Sequence, residues 1–417
     1  MNKILYFLLA AVLLTGCQKD SSDDGIDIEA VRHTVLVYMS AENNLSYYAQ
    51  GDINEMITGR KKVGNDCDLI LYVDRAIASE KPFIARICNR TDHPVDTLYQ
   101  YPSDFYSSDP TLFQEVIERM VSYSPYAEDY GIVFWGHANG WIMENDGKNV
   151  IRRAYGGDDG HNAGSSSAVE PTRWINIPDM AKALQRTGIH WRYLFFDCCN
   201  MQNVEVAYEL RHVTDYIIAA PSESTGVGAP YDVIVKDLFI ADDQGMYSSI
   251  CHDYYEQKTD EYGHIDQKGD CQMPICAIKT SHMQALSDAT RQILPDITEW
   301  LKTSNPTQDI IYYYKYDKNK GDVEKIMYDM KHMIRKALAS QPEKYNAWES
   351  AFRQAVCYGE YSLKWHTNCI SFSDFADATV DDQGCVSMFF PLEKYSQASH
   401  PYNEDIKKMQ WYQAVGW

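Results

Sequence analysis

The chain has 417 residues, 45% hydrophobic and 13% aromatic, with 59 acidic against 38 basic side chains and a formal charge of −21 at neutral pH. That composition suffices for one large globular domain or two moderate ones and excludes a chain that is disordered throughout. The charge argues against nucleic acid or an anionic membrane surface as a partner, while a negative field draws cationic peptides.

Met1-Asn-Lys3 gives a basic start, Ile4 to Leu14 an apolar stretch too short to span a bilayer comfortably, and Leu14-Thr15-Gly16-Cys17 a small-residue cleavage site. Residues 1–16 are therefore expected to be a secretory signal. The Leu-Thr-Gly-Cys run resembles a bacterial lipoprotein box, which implies cleavage before Cys17 and acylation of its thiol. Residues 17–30, with Lys19-Asp-Ser-Ser-Asp-Asp24, are polar and acidic and read as a flexible tether, similar to the export tags of some surface lipoproteins. No later stretch approaches a spanning helix. A lipid is then the only membrane attachment, and the expected address is the cell envelope, at the outer membrane, facing either the periplasm or the exterior.

Beyond the tether, Thr34–Tyr38 reads as a strand that runs into the polar loop Met39-Ser-Ala-Glu-Asn-Asn-Leu45 and the start of a helix. Asp68–Val73 repeats the strand pattern, and Phe83–Ile87 with Asp96–Tyr99 suits a hairpin around Asn89-Arg-Thr-Asp92. Asp109 is placed to cap a helix that opens with Pro110 and carries Leu112, Phe113, Val116, Ile117 and Met120 on one face. Gly131–Trp135 is the next strand. Asn145–Arg173, rich in Gly, Ser, Asn and Asp, reads as an exposed, mobile insertion. Ile177–Arg186 is a short helix before Gly188, Tyr193–Phe196 a strand, Val204–Arg211 the start of a helix, and Tyr216–Ala220 a strand. Strand and helix alternating in this way predict an α/β fold, a mostly parallel sheet with helices on both faces. The second half is less regular and helix-rich: Met283–Leu301 and Val323–Ser340 are helical by pattern, Gly384–Phe390 is strand-like, and Tyr312–Tyr316 has no assignment. The expected division is a catalytic region over 31–240 and a C-terminal subdomain over 241–417 packed on it.

Two of these strands end in reactive side chains. Gly131–Trp135 leads into Gly136-His137-Ala138, and Tyr193–Phe196 into Asp197-Cys198-Cys199. In a parallel sheet both tips lie at the carboxyl edge, where α/β folds place their chemistry, so an imidazole and a thiol 62 positions apart can meet. The chain has eleven cysteines, with no Cys-x-x-Cys among them. With Cys17 lipidated and one thiol a nucleophile, an odd number remains, so at least one more is free. Cys271 and Cys276 suit a loop pair or simple burial better than zinc.

Val35-Leu-Val-Tyr-Met-Ser-Ala-Glu-Asn-Asn-Leu45, Trp135-Gly-His-Ala-Asn-Gly-Trp141, Phe196-Asp-Cys-Cys-Asn-Met201 with Val204-Glu-Val-Ala-Tyr208, and Val386-Ser-Met-Phe-Phe-Pro391 together resemble the clostripain family of cysteine peptidases. The resemblance implies a caspase-like α/β/α sandwich and a Cys-His dyad. Register with the family's Asp-Ala-Cys puts the nucleophile at Cys199 and leaves Cys198 at the alanine position, a choice that strand alternation supports. A thiol with a pKa near ~8.5 is only partly ionised at neutral pH, which is why it needs the imidazole of His137 as general base and then as acid to the leaving amine. The resemblance assigns the oxyanion donors to the backbone N–H groups of Ala138 and Cys199. This chain departs from the family in having Gly136 before the histidine and Ala138, rather than glycine, after it.

By the same resemblance Asp197 lies in the pocket for the residue on the acyl side of the scissile bond and selects Arg or Lys; Asp197 also suits a cap for the following helix. Asp232 and Glu223 are candidates for a second acid. Self-cleavage in the insertion is expected after Arg153, Arg152 or Lys148. No cofactor or metal ligand set is assigned, although some relatives use calcium and Asp158-Asp159 offers oxygens. The partners expected are peptides or proteins with Arg or Lys before the scissile bond. A catalytically silent lipoprotein that displays the fold to bind peptides or glycans stays open, favoured by Gly136 and Ala138 and opposed by the retention of both His137 and Cys199. A thiol oxidoreductase built on Cys198-Cys199 is disfavoured by the spacing.

Overall fold

The computed structural model describes residues 31–143, 154–160, 172–260, 263–269, 271–303, 307, 309–318, 322–361, 365, 378–397 and 401–417. Cys17, the tether, and the expected cleavage positions Lys148, Arg152 and Arg153 lie outside the described residues. In chain order the elements are β1 (His33–Ala41), α1 (Ser46–Arg60), β2 (Cys67–Arg75), β3 (Phe83–Ile87), β4 (Val95–Gln100), α2 (Pro110–Ser122), β5 (Asp129–Gly136), β6 (Tyr155–Asp158), β7 (Arg173–Ile175), α3 (Ile177–Arg186), β8 (Trp191–Asp197), α4 (Val204–Leu210) and β9 (Thr214–Ala219). Then follow α5 (Tyr231–Ile234), α6 (Asp243–Tyr255), β10 (Ile275–Lys279), α7 (Met283–Leu301), β11 (Tyr312–Lys318), β12 (Asp322–Asp329), α8 (Met330–Ala337), α9 (Pro342–Ala355), β13 (Val356–Glu360), β14 (Ser387–Met388), α10 (Tyr402–Asp405) and α11 (Gln410–Val415).

Nine strands form one sheet in the order β13-β10-β9-β8-β5-β1-β2-β3-β4. From β9 to β2 every pairing is parallel, and both flanks are antiparallel. The central strands read as near-continuous apolar runs because both faces are covered. Leu36, Tyr38, Phe134, Leu194 and Phe196 pack to one side with α2, α3, α4 and α7. Val35, Val37, Val133, Trp135, Tyr193 and Phe195 pack to the other with α1, α5 and α6. The result is a three-layer α/β/α sandwich, as the alternation in sequence predicts. Strands β10 and β13 belong to this same sheet although they lie after residue 240.

The expected cap of α2 is present: the Asp109 carboxylate accepts from the N–H groups of Thr111 at 2.9 Å and Leu112 at 3.1 Å. Three expectations change. Within Asn145–Arg173, residues 155–158 are a buried strand, because the Tyr155 ring is drawn into the core against Phe134 and Phe196. Val323–Ser340 is a strand before it is a helix: Tyr328 and Asp329 pair with Met388 and Ser387, and the Asp329 carboxylate then accepts from the N–H of His332 at 2.8 Å to start α8. The strand expected over Gly384–Phe390 shortens to Ser387–Met388, with Cys385 at φ 57°. The unassigned tyrosines open β11, which pairs with β12.

Among the described residues, no helix is long and apolar enough to cross a membrane.

Candidate active site

Strands β5 and β8 lie side by side with Phe134 opposite Phe196 and Trp135 opposite Asp197. Neighbouring parallel strands run ~4.8 Å apart, so positions 137 and 199, each two beyond the last registered pair, emerge next to one another. Both line one cavity of about 290 Å³ at the carboxyl edge, with Asn44, Tyr48, Ala138, Asp197, Glu223 and Ser224 among its other walls. His137 and Cys199 are both half-buried.

Several groups fix the two side chains. The Nε2 atom of His137 lies 2.6 Å from Oδ1 of Asn44, in the loop after β1, and the Trp174 ring lies 6.3 Å from the imidazole. The histidine carbonyl accepts from the N–H of Gly156 at 2.9 Å, and the N–H of Asn139 donates to the Ala154 carbonyl at 2.9 Å. Ala138 therefore sits opposite Tyr155 as the non-hydrogen-bonded residue of an antiparallel bridge, and its own N–H points away from β6. Gly136 has φ +144° and a Cβ there would meet the Ser40 carbonyl oxygen at 2.8 Å, so a backbone requirement accounts for glycine ahead of the histidine.

On the other strand, the N–H of Ser224 donates to the Cys199 sulfur at 3.3 Å, and Ser224 is itself held by the Tyr254 hydroxyl at 3.0 Å. An N–H aimed at sulfur interacts more strongly with a thiolate than with a thiol. The neighbouring Cys198 is only 2% exposed, its thiol 3.5 Å from the Phe134 carbonyl, and burial pushes its pKa well up. Asn200 follows at φ 58°, with its Nδ2 donating to Asn139 Oδ1 at 3.1 Å, which ties the two strand tips together. Gly140 takes φ +61° where a Cβ would meet the Asn203 Oδ1 at 1.9 Å, so the two loops can approach only through glycine.

Asp197 turns to the face of the sheet opposite Cys198. It is 4% exposed; its Oδ2 accepts from the Ala229 N–H at 3.0 Å and the Tyr231 hydroxyl at 2.8 Å, while its Oδ1 has no hydrogen-bond partner. It does not cap the following helix. Behind it stands a residue that the sequence reading missed. Asp52 on α1 accepts from the Trp135 indole at 2.6 Å, and a Cβ on Gly228 would lie 2.9 Å from Asp197 Oδ2 and 3.1 Å from Asp52 Oδ2. Burial first, and then repulsion from Asp197, pushes the Asp52 carboxyl up to about 8; burial pushes Asp197 to about 6, against the pull of its two donors. Nothing in Gly51-Asp-Ile-Asn-Glu55 distinguishes Asp52 from a solvated helix position. Asn44 was closer to legible, in a polar loop directly after a strand.

Glu223 lines the cavity rim. Asp232 lies outside the cavity lining: on α5 it is Tyr231 that turns inward to Asp197, and the Asp232 carbonyl faces Lys62 at 2.7 Å. Cys271 and Cys276 are buried, and no disulfide joins them.

The model of the clostripain family matches residues 37–417. The chain belongs to that family. It is accordingly a cysteine peptidase, a hydrolase, and its sandwich is the caspase-like fold of such enzymes. A prokaryotic membrane lipoprotein lipid attachment site matches residues 1–18, which makes the peptidase a lipid-anchored protein of the cell envelope. No curated protein matches it. Among solved structures, a secreted C11 cysteine protease from Bacteroides thetaiotaomicron, in complex with an irreversible peptide inhibitor, is 27% identical with a TM-score of 0.72, covering 92% of this chain and 99% of that one. An inactive zymogen C11 protease from Parabacteroides distasonis, 22% identical, shares the fold with a TM-score of 0.69 over 93% and 98% of the two chains.

The two stacked carboxyls carry a stability cost with a defined sign. Because both hold protons in the folded chain that the unfolded chain releases above about pH 4, stability falls as pH rises from about 4 to about 8. Asp52→Asn keeps an acceptor for Trp135 and removes the higher of the two. In thermal unfolding it is expected to melt above its parent, the gap widening from pH 5 to pH 8; a gap that narrows over that range contradicts the assignment.

Proposed function

We propose that the peptidase is an endopeptidase that cleaves after Arg or Lys through a thioacyl-enzyme, with Cys199 as nucleophile and His137 as base. The observation that carries this is the cavity that holds the thiol, the imidazole and, on its floor, a buried carboxylate with one unpartnered oxygen. With Asn44 accepting from Nε2, the neutral ring keeps its lone pair on Nδ1, which takes the Cys199 proton. The Cys199 sulfur attacks the scissile carbonyl, and the oxyanion is received by the N–H groups of Ala138 and Cys199, the first already directed away from β6. Collapse expels the amine, which takes its proton from the His137 imidazolium; water, deprotonated by the same ring, then frees the acid and restores the thiol.

Specificity rests on Asp197. Its Oδ1 is the acceptor that a guanidinium or ammonium completes with a charge-assisted hydrogen bond. A cation entering there also lowers the cost of ionising Asp52 behind it, so the pair suits a positive side chain better than one buried acid alone. Glu223 adds negative charge at the rim. Ala138 does not count against activity, since its N–H is presented without need of glycine's freedom.

Maturation by self-cleavage after Arg153, Arg152 or Lys148 accords with this specificity. An outer-membrane address, on the periplasmic or the outer face, accords with the lipid anchor. Intact-mass measurement of the wild type beside Cys199→Ala tests maturation: a nick after one of those residues in the wild type alone is expected, and identical intact chains end the idea.

Profiling with a peptide library tests specificity. Wild type and Cys198→Ala are expected to cleave after Arg or Lys, Cys199→Ala and His137→Ala to be inactive, and Asp197→Asn to lose about 10- to 100-fold in kcat/KM on basic substrates, the value of one hydrogen bond to a charged group. Cleavage after acidic or bulky apolar residues, or full basic activity in Asp197→Asn, contradicts the assignment.

A further inference from the structure

Two tyrosines that the mechanism does not use stand at the mouth of the catalytic cavity. Tyr48, on the first turn of α1, lines it. It comes one turn before Asp52 on the same helix, so the two side chains share a face: the carboxyl lies behind Asp197, and the ring stands at the rim. That ring rests on the segment after β9, where a Cβ on Gly226 would lie 3.1 Å from it. Tyr47 continues the wall outward, its ring set edge-on to that of Tyr48 with the centroids 5.6 Å apart. At 87% it has the highest exposure among the described large hydrophobic side chains.

A ring left in water adds nothing to the core, and covering it is favourable. The backbone beneath the pair is fixed. Asn43 Oδ1 accepts from the Leu45 N–H at 2.8 Å, and the Ser46 hydroxyl accepts from the Ala76 N–H at 3.0 Å. A tyrosine has only two side-chain torsions to order, so a pair presented in this way offers contact area at a small entropic cost.

We propose that Tyr47 and Tyr48 form an aromatic subsite on the acyl side of the scissile bond, which takes a large apolar or aromatic side chain two residues before the basic one. The subsite rests on the reading of the cavity as the place where cleavage after Arg or Lys occurs, and it adds a second determinant to that specificity. The side follows from the chemistry. The leaving amine takes its proton from His137, so the residues after the scissile bond run past the imidazole and the Trp174 ring that lies 6.3 Å from it. The residues before the bond run past Ser224, whose N–H holds the sulfur, and on to Gly226, where Tyr48 rests. The position follows from the spacing. In an extended peptide, side chains two residues apart face the same way and stand ~6.6 Å from one another. With the basic side chain in the cavity against Tyr48, the side chain two residues earlier meets Tyr47, whose ring centre is 5.6 Å further out. The side chain between them faces away from both rings.

The test uses quenched peptides with Arg before the scissile bond and Phe, Leu, Ser or Gly in turn at each of the two preceding positions, cleaved by the mature chain. Wild type is expected to favour Phe over Gly by about ten-fold in kcat/KM two residues before the arginine, chiefly through KM, and by less than about three-fold at the residue between. Tyr47→Ala should bring the larger ratio down to about two-fold, and Tyr47→Phe should keep it. Tyr126→Ala should also keep it, since that exposed tyrosine precedes β5 at the amino edge of the sheet, away from the cavity. The readout is a ratio of two substrates on one enzyme, so a general loss of folding or activity does not imitate it. Cleavage after arginine without the preference, a preference unmoved by Tyr47→Ala, or one that Tyr126→Ala removes as well overturns the subsite and leaves the basic pocket standing. A chain that does not cut these peptides at arginine overturns the reading of the cavity, and the subsite with it.

Discussion

The register between β5 and β8 is the constraint on which the site depends. With Trp135 opposite Asp197, the next two residues of each strand leave the sheet together, and the thiol and imidazole need no loop to carry them across the molecule. The same pleat sorts the cysteine side by face. Asp197 turns toward α1 and α5, Cys198 into the core beside Phe134, and Cys199 to the cavity. A slip of one residue would exchange core and pocket for every one of these side chains, and the apolar runs on both faces resist it.

What the sheet positions, short polar contacts then hold. Asn44 orients the histidine ring, the Gly156 N–H its backbone, Ser224 the sulfur, and Asn139 with Asn200 the two tips. Stability is given up for this arrangement. Asp52 and Asp197 are buried next to one another although both would ionise readily in water, and Asn200 takes a backbone conformation that few residues adopt. Such exceptions to ordinary burial and backbone rules cluster where a protein acts, and they are affordable because the surrounding sandwich is well packed.

The parallel core was legible in the sequence because burial on both faces leaves runs such as Val35–Tyr38 and Leu69–Val73 that no solvated element would carry. The meeting of His137 and Cys199 in one cavity was legible for a related reason: each lies just past the end of such a run. The acids were only partly so. Asp197 could be found from its place at a strand tip, but Asp52 could not, since its partner Trp135 lies far off in sequence and on another element. Asp232 stands off the cavity because on α5 it is Tyr231 that turns inward to Asp197. Tyr155 and Asp158 were hidden inside a glycine-rich stretch whose composition reads as loop, and only packing against Phe134 and bonding to Ser107 reveal them as interior. The strand over Asp322–Asp329 was lost to a helical pattern because one partner, Ser387–Met388, is short and distant and the other, Tyr312–Lys318, had no assignment.

The most direct test is to find the sulfur that reacts. Wild-type protein treated with a peptidyl acyloxymethyl ketone ending in lysine is digested, and the adduct is located by mass spectrometry. The account predicts a single adduct on Cys199, absent after His137→Ala and much reduced after Asp197→Asn. An adduct on Cys198, or labelling that is indifferent to the loss of His137, would contradict it.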